Sequence, residues 1–271
     1  MYNKFYLKNL KSENFLLIAG PCVVESKSVC FKTCETVKTI CDKLKIPYIF
    51  KSSYMKANRT SGKSFRGIGV EAALNILLDV KREFGVPILT DVHSDFEVSV
   101  VSEVADVLQI PAFLSRQTEL LEAAGRSGNV VNIKKGQFLS PKDMKYQAEK
   151  VAAMGNKKIM ITERGTFFGY NNLVVDMRSL PYMRSFGYPV IFDATHSIQM
   201  PSAAKGKSAG APEFIPYLSR AAAAAGVDGF FIETHPNPEK ALSDGANMLP
   251  LNKLEKLLRD LLKITKLKFE S

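Results

Sequence analysis

The chain has 271 residues, 46% hydrophobic and 24% charged, with a formal net charge of +10. That composition excludes a disordered or collagen-like chain, and the length suits one α/β barrel of about 250 residues or two smaller domains. The positive balance admits a nucleic-acid partner, an anionic small substrate or plain solubility. The first of these calls for a basic tail or an aromatic-interleaved patch, and the cations are instead spread along the chain.

In chain order, residues 1–14 are polar and lack the apolar core of a signal peptide. No apolar run approaches the ~18 residues of a membrane span. Short β-rich runs then recur: Phe15–Cys22, Tyr48–Ser53, Pro87–His93, Val107–Phe113, Val130–Gly136, Lys158–Gly165, Pro189–His196 and Gly229–Pro236. Segments with helical spacing follow them: Lys27–Leu44, Val70–Phe84, Asp95–Ala105, Gln117–Ser127, Pro141–Met154, Val174–Phe186, Glu213–Ala225 and Leu251–Leu267. This alternation predicts parallel strands with crossover helices. Eight repeats close a single α/β domain, a (β/α)8 TIM barrel spanning 1–271. An open doubly wound sheet is the alternative, but no Gly-rich turn follows the first strand, and Gly67-Ile-Gly69 follows a loop. Cysteines 22, 30, 34 and 41 form no CxxC pair, which fits a reducing cytosol. Residues Met200–Ala211 carry Ala, Gly, Lys and Ser without periodicity and read as a loop, a candidate lid.

The strand ends hold the polar chemistry: Cys22, Lys51 and Ser53, Asp91 and His93, Gln109, Lys134, Glu163 and Arg164, Asp193 and His196, Glu233 and His235. Active sites of barrels gather at those ends, and side chains two apart share a face. After the second strand, Lys51 to Gly67 interleaves Lys56, Arg59, Lys63 and Arg66 with Ser, Thr, Asn and Gly, a set suited to phosphate. Cations crowded in a cleft repel unless something negative neutralises them. Lys51, Lys56, Arg59, Lys134, Arg164 and Arg116 are expected to outnumber the acids beside them and to call for a substrate with several anionic groups. In the alternative, each cation pairs with a protein acid such as Asp91 or Glu163, as a barrel without activity would require. Cys22, His196, Glu233 and Asp244 form a plausible donor set for a divalent metal (Zn, Fe, Mn or Co), though no local spacing motif joins them.

Several motifs in order resemble the 3-deoxy-D-manno-octulosonate 8-phosphate synthases. They are Ile18-Ala-Gly-Pro-Cys-Val-Val-Glu-Ser26, Lys51-Ser-Ser with Lys56-Ala-Asn-Arg59, Gln109-Ile-Pro-Ala-Phe-Leu-Ser-Arg-Gln-Thr118 and Asn132-Ile-Lys-Lys-Gly-Gln-Phe138. Thr162-Glu-Arg-Gly165, Phe168 to Asp176, Phe192-Asp-Ala-Thr-His196, Glu233-Thr-His-Pro236 and Ser243-Asp-Gly245 continue the match. The resemblance implies condensation of phosphoenolpyruvate with D-arabinose 5-phosphate and water, releasing phosphate, in lipopolysaccharide biosynthesis. It implies a cytoplasmic homotetramer. By position, Lys51, Lys134 and Arg164 would hold phosphoenolpyruvate, with Ser53, Gln109, Ala112 and Phe113 shaping its pocket. Lys56, Asn58, Arg59 and Thr60 would hold the sugar phosphate, Arg116 would reach a neighbouring subunit's sugar phosphate, and Asp91, His93 and Asp193 would line the reacting end. Catalytic roles then fall to Lys51, Asp91, His93, Lys134, Asp193 and His196. Cys22 with Lys135-Gly136-Gln137 resembles the metal-dependent branch, which implies one divalent ion per subunit on Cys22, His196, Glu233 and Asp244. Thr60 stands where the family commonly has Ser, and Gly62-Lys63 where it often has Ile-His. The nearest rival is 3-deoxy-D-arabino-heptulosonate 7-phosphate synthase, which uses erythrose 4-phosphate and typically carries a Lys-Pro-Arg-Thr-type motif at Lys56-Ala-Asn-Arg59. Sialic-acid synthases also use phosphoenolpyruvate, but with sugars lacking the terminal phosphate.

Overall fold

A computed structural model describes residues 14–57, 65–167, 172–204 and 207–267, the side chains of 201–209 excepted. Eight parallel strands close into a ring: β1 (Leu16–Gly20), β2 (Tyr48–Lys51), β3 (Ile88–Asp91), β4 (Val107–Ile110), β5 (Val130–Lys134), β6 (Ile159–Glu163), β7 (Val190–Asp193) and β8 (Gly229–His235). Each pairs with the next, and β8 returns to β1 with Leu16 opposite Gly229 and Gly20 opposite Glu233. A helix follows every strand: α1 (Lys27–Leu44), α2 (Val70–Phe84), α3 (Asp95–Val104), α4 (Thr118–Arg126), α5 (Met144–Ala153), α6 (Ser179–Arg184), α7 (Ile215–Ala225) and α8 (Leu251–Thr265). The expected (β/α)8 barrel is the fold.

Strand alternation divides the core in two. Leu16, Ile18, Ile49, Leu89, Val107, Val130, Met160, Ile191 and Phe231 fill the barrel's interior. Their neighbours of opposite parity, such as Leu17, Phe50 and Ile133, pack outward with the helices. Each buried side chain of this size stabilises by roughly 1.5–3 kcal/mol. Close approach matters at Gly20, where an added Cβ would lie 2.0 Å from the Lys51 carbonyl oxygen. Only glycine lets β1 run this near the end of β2, so Gly20 sets the position of Lys51.

Three expectations are corrected. The helix expected over Val174–Phe186 shrinks to Ser179–Arg184, and Leu173–Val174 instead pairs antiparallel with Thr166–Phe167. Asp176 accepts the Arg178 N–H and closes a turn, and Pro181 can only sit near a helix start. The helix expected from Glu213 begins at Ile215, because Pro212–Phe214 forms a 3-10 turn first. The aperiodic loop expected over Met200–Ala211 is a hairpin, Gln199–Ala204 against Lys207–Gly210. Its small residues carry no alternating pattern, so the pairing had no hydrophobic signature. Several strands are also shorter than expected, because their polar last residues extend past the final ladder partner. Cys22 and Ser53 lie beyond β1 and β2, near the isolated bridge of Val23 with Ser53.

Candidate active site

The same alternation that points Ile18, Ile49, Leu89, Val130, Ile191 and Phe231 inward continues upward and changes chemistry. Two residues on from Ile49 stands Lys51, from Leu89 Asp91, from Val107 Gln109, from Ile191 Asp193 and from Phe231 Glu233. Asn132 and Lys134 do the same on β5. The barrel is therefore dry below and charged at the C-terminal ends of its strands, where barrel active sites sit.

A directed hydrogen-bond chain crosses five strands or their ends. The Thr162 hydroxyl donates to Asn132 Oδ1 at 2.7 Å. Asn132 Nδ2 donates to Gln109 Oε1 at 2.9 Å, and Gln109 Nε2 to Asp91 Oδ1 at 2.5 Å. The Ser53 hydroxyl donates to the other Asp91 oxygen. An ionised carboxylate only accepts, so Asp91 fixes the sense of every link. Burial pushes the Asp91 carboxyl up, but Lys51, Lys56, His93 and the Ser53 hydrogen bond hold it well below the usual carboxylate range.

Lys51 and Lys134 are buried and paired. Lys51 Nζ donates to Glu233 Oε1 at 2.5 Å and to the Cys22 carbonyl at 3.1 Å. Lys134 Nζ bonds Asp193 Oδ2, which also lies 2.8 Å from His196 Nδ1. Asp193 Oδ1 accepts the His196 N–H at 2.9 Å, so one carboxylate sets both a lysine and a histidine. Phe231 lies beneath, its ring centroid 3.6 Å from Lys134 Nζ and 5.4 Å from Lys51 Nζ. Burial, reinforced by Lys51, lowers the Lys134 ammonium below the ordinary lysine value, against the pull of Asp193. Burial raises the Glu233 carboxyl, but Lys51, His196 and Lys56 bring it well below its usual range. Around Lys56, burial works against the ammonium, and its anionic neighbours, Glu233, Asp91 and Asp244 among them, raise its pKa.

The expected excess of cations is therefore corrected for two of its members. Lys51 and Lys134 have protein acids as partners, and those acids are Glu233 and Asp193 rather than the anticipated Asp91 and Glu163. Glu163 turns to Lys135, 3.5 Å away, and accepts the N–H groups of Arg164 and Gly165. Arg164 differs from the lysines. It is 4% exposed, Nη2 donates to Gln199 Oε1 at 2.9 Å, and Nη1 is buried without a hydrogen-bond partner among the described residues. Burial lowers its pKa despite the surrounding Asp193, Glu163, Asp244 and Glu233.

The candidate metal donors stand in two contacting pairs. Cys22 Sγ lies 3.1 Å from Asp244 Oδ2 and 3.0 Å from Ser243 Oγ, while His196 Nε2 lies 3.7 Å from Glu233 Oε1. Lys51 joins the pairs by touching both Glu233 and the Cys22 carbonyl. Burial and then Glu233 push the Cys22 thiol up, so it is protonated and can donate to Asp244. Among the described residues no three His, Cys, Asp or Glu side chains enclose an ion as they stand. The donor types nevertheless fit a borderline divalent metal, and binding would require loss of the thiol proton and closure of the two pairs.

Ala112 is buried at the end of β4, Phe113 is half exposed, and Arg116 is exposed beyond it. Asn58, Arg59 and Thr60, with Gly62 and Lys63, lie outside the described residues. His235 is buried at the end of β8, its Nδ1 accepting the Asn237 N–H. Sequence reading did not single out Tyr54, Glu97, Gln199 or Phe231. Period-two counting from Glu233 would have found Phe231, but the others emerge only from tertiary contact.

A closed barrel with buried cations and carboxylates, and histidines beside them, at the carboxyl ends of its strands is the architecture of a (β/α)8 enzyme. The pattern of the DAHP synthetase I family matches residues 7–269, and the chain belongs to that family. Among curated proteins it is similar to the "2-dehydro-3-deoxyphosphooctonate aldolase" of Acidithiobacillus ferrooxidans, 58% identical over 90% of this chain and 87% of the relative. The protein of that name from Cyanothece sp. is 57% identical over 92% of each chain. That of Koribacter versatilis is 55% identical over 97% of this chain and 96% of its own. No helix among the described residues is long and apolar enough to cross a membrane.

Proposed function

We propose that this chain condenses phosphoenolpyruvate with D-arabinose 5-phosphate and water, giving 3-deoxy-D-manno-octulosonate 8-phosphate and inorganic phosphate. C3 of the enolpyruvate forms a bond to the aldehyde carbon, whose oxygen takes up a proton. Water adds at C2, and phosphate leaves from that carbon. The relatives' shared name supports the reading, and within the molecule one observation carries it: Arg164, buried at the mouth, keeps Nη1 without a hydrogen-bond partner among the described residues. A buried guanidinium with an unused donor is costly unless an anion meets it, and carboxylate or phosphate oxygens match its fork.

Arg164 with Lys134 and Lys51 holds the phosphoenolpyruvate anion, above Ser53 and Gln109 and beside Ala112 and Phe113. The two lysines are shared between their acids and the substrate, so Glu233 and Asp193 keep the mouth near neutrality and hold both ammonium groups in place. Lys56 with Asn58, Arg59 and Thr60 receives the sugar phosphate, and Arg116 completes that site in a neighbouring subunit of a cytoplasmic homotetramer. Asp91 and His93 face the reacting carbons with Asp193 and His196. Holding two reactants in register supplies a large effective concentration, and fixed cations stabilise charge as it moves to the departing phosphate. Cys22, His196, Glu233 and Asp244 would hold one divalent ion, which supplies Lewis acidity toward the sugar aldehyde or water when bound. The hairpin Gln199–Gly210, tied to Arg164 through Gln199, closes over the substrates.

The test is phosphate release from phosphoenolpyruvate with arabinose 5-phosphate and, separately, erythrose 4-phosphate. We expect turnover with the five-carbon sugar; turnover only with the four-carbon sugar would assign the chain to the heptulosonate branch instead.

A further inference from the structure

Glu97, in the first turn of α3, presents a pattern that reads as a helix-capping box, Ser94-Asp-Phe-Glu97. Its carboxylate does something else. Glu97 Oε2 accepts the Tyr54 hydroxyl at 2.5 Å and the His93 backbone N–H at 2.8 Å, and lies 3.4 Å from His93 Nδ1. Burial raises the Glu97 carboxyl, but the bonds from Tyr54 and His93 bring it below its ordinary value, so it is an anion near neutral pH. Tyr54 is fully buried, and its hydroxyl oxygen is also 3.4 Å from His93 Nδ1.

These contacts settle where the imidazole proton belongs. The carboxylate of Glu97 can only accept. The Tyr54 hydroxyl has committed its single hydrogen to Glu97 and toward Nδ1 can also only accept. Among the described residues, Nδ1 of His93 thus faces two acceptors and no donor. A neutral imidazole meets that surrounding by carrying its proton on Nδ1, which leaves a lone pair on Nε2. His93 stands two residues beyond Asp91, the last residue of β3 and the anchor of the hydrogen-bond chain at the mouth.

We infer that Glu97 and Tyr54 are positioning residues that hold His93 as the Nδ1–H tautomer, presenting Nε2 as an acceptor to a hydroxyl of the sugar substrate or to the attacking water. This rests on the proposed synthase reading for what Nε2 meets, but not for the tautomer itself. Neither residue touches substrate. Tyr54 acts by occupying Glu97 while remaining an acceptor toward the ring. Glu97 prevents the Tyr54 hydroxyl from turning its hydrogen onto Nδ1, which would move the imidazole proton to Nε2 and replace the acceptor with a donor.

The chain has 3 histidines, so nitrogen NMR of histidine-labelled protein can be assigned by comparison with H93N. At pH 8 the wild type should give a protonated Nδ1 and a bare Nε2 for residue 93; a proton on Nε2 overturns the inference without any further variant. In E97A the freed Tyr54 hydroxyl should donate to Nδ1 and switch the tautomer. Partners that orient a working imidazole are typically worth about 10- to 100-fold, and E97A should lose that much kcat/KM for the sugar. The double variant Y54F/E97A removes the intruding hydrogen and should regain part of the loss. A loss of cap and loop structure alone would make the double variant worse than E97A, and that result, or an unchanged tautomer in E97A, contradicts the assignment. Absence of turnover with arabinose 5-phosphate in the wild type would overturn the synthase reading and leave the tautomer result standing.

Discussion

Asp91→Asn perturbs the hydrogen-bond chain at its anchor. In the wild type both carboxylate oxygens accept, one from Ser53 and one from Gln109, and the polarity then runs without conflict through Asn132 to Thr162. An asparagine puts an N–H where one of those oxygens was. The least costly accommodation rotates the Ser53 hydroxyl into an acceptor, because turning Gln109 would force Asn132 to turn as well. Even so, two charge-assisted bonds become neutral ones. Hydrogen bonds to charged groups contribute roughly 1.5–3 kcal/mol against about 1 for neutral pairs, so the substitution should cost about 1–4 kcal/mol. For a chain of this size that is a fall in Tm of about 2 to 8 °C, read by calorimetry at pH 7. The pH dependence has a definite sign. The Asp91 carboxyl titrates lower in the folded protein than in the unfolded chain, so its contribution is complete above the unfolded value near 4 and is lost as pH falls toward the folded value. The gap between wild type and Asp91→Asn should therefore be constant from pH 7 to about 5 and narrow below about 4. A variant melting within about 1 °C of wild type at pH 7, or a gap that widens in acid, would refute the account of this chain.

Arg164→Lys keeps a positive charge but loses the fork and with it Nη1, and should raise KM for phosphoenolpyruvate about 10-fold or more while affecting the sugar less; steady-state kinetics with each substrate varied will check it. Chelation should remove a stoichiometric divalent ion, measured by elemental analysis, and abolish activity. Cys22→Asn should bind the ion at least 10-fold more weakly, and full activity of metal-stripped wild type would reject the metal assignment. Limited proteolysis within Gln199–Gly210 should slow when both substrates are present; equal cleavage with and without them would argue against closure.

The inward polar ends of the strands were legible because a strand has a period of two: Lys51, Asp91, Asp193 and Glu233 each follow an apolar inward residue at that interval, and Lys134 follows Val130 at twice it. The ring was legible from eight repeats. The pairing of Lys51 with Glu233 was not, since those residues are 182 positions apart and meet through the register of β8 on β1. The same holds for Lys135 with Glu163, residues of the opposite parity. Tyr54 and Glu97 carried no sequence signal of a site: Tyr54 is buried, and Glu97 accepts a backbone N–H at the helix start. Their shared contact with His93 depends on how the loop after β2 lies against α3, which local pattern does not encode. The hairpin after β7 left no trace because small residues pair without alternation.

The most direct test of the account is a crystal structure with phosphoenolpyruvate and arabinose 5-phosphate bound together, or with a non-reacting analogue of either. The account places the enolpyruvate anion on Arg164 Nη1 with Lys134 and Lys51 beside it, and the sugar aldehyde above Asp91 and His93. An enolpyruvate bound away from Arg164, or a sugar turned with its phosphate among Lys51, Lys134 and Arg164, would contradict it.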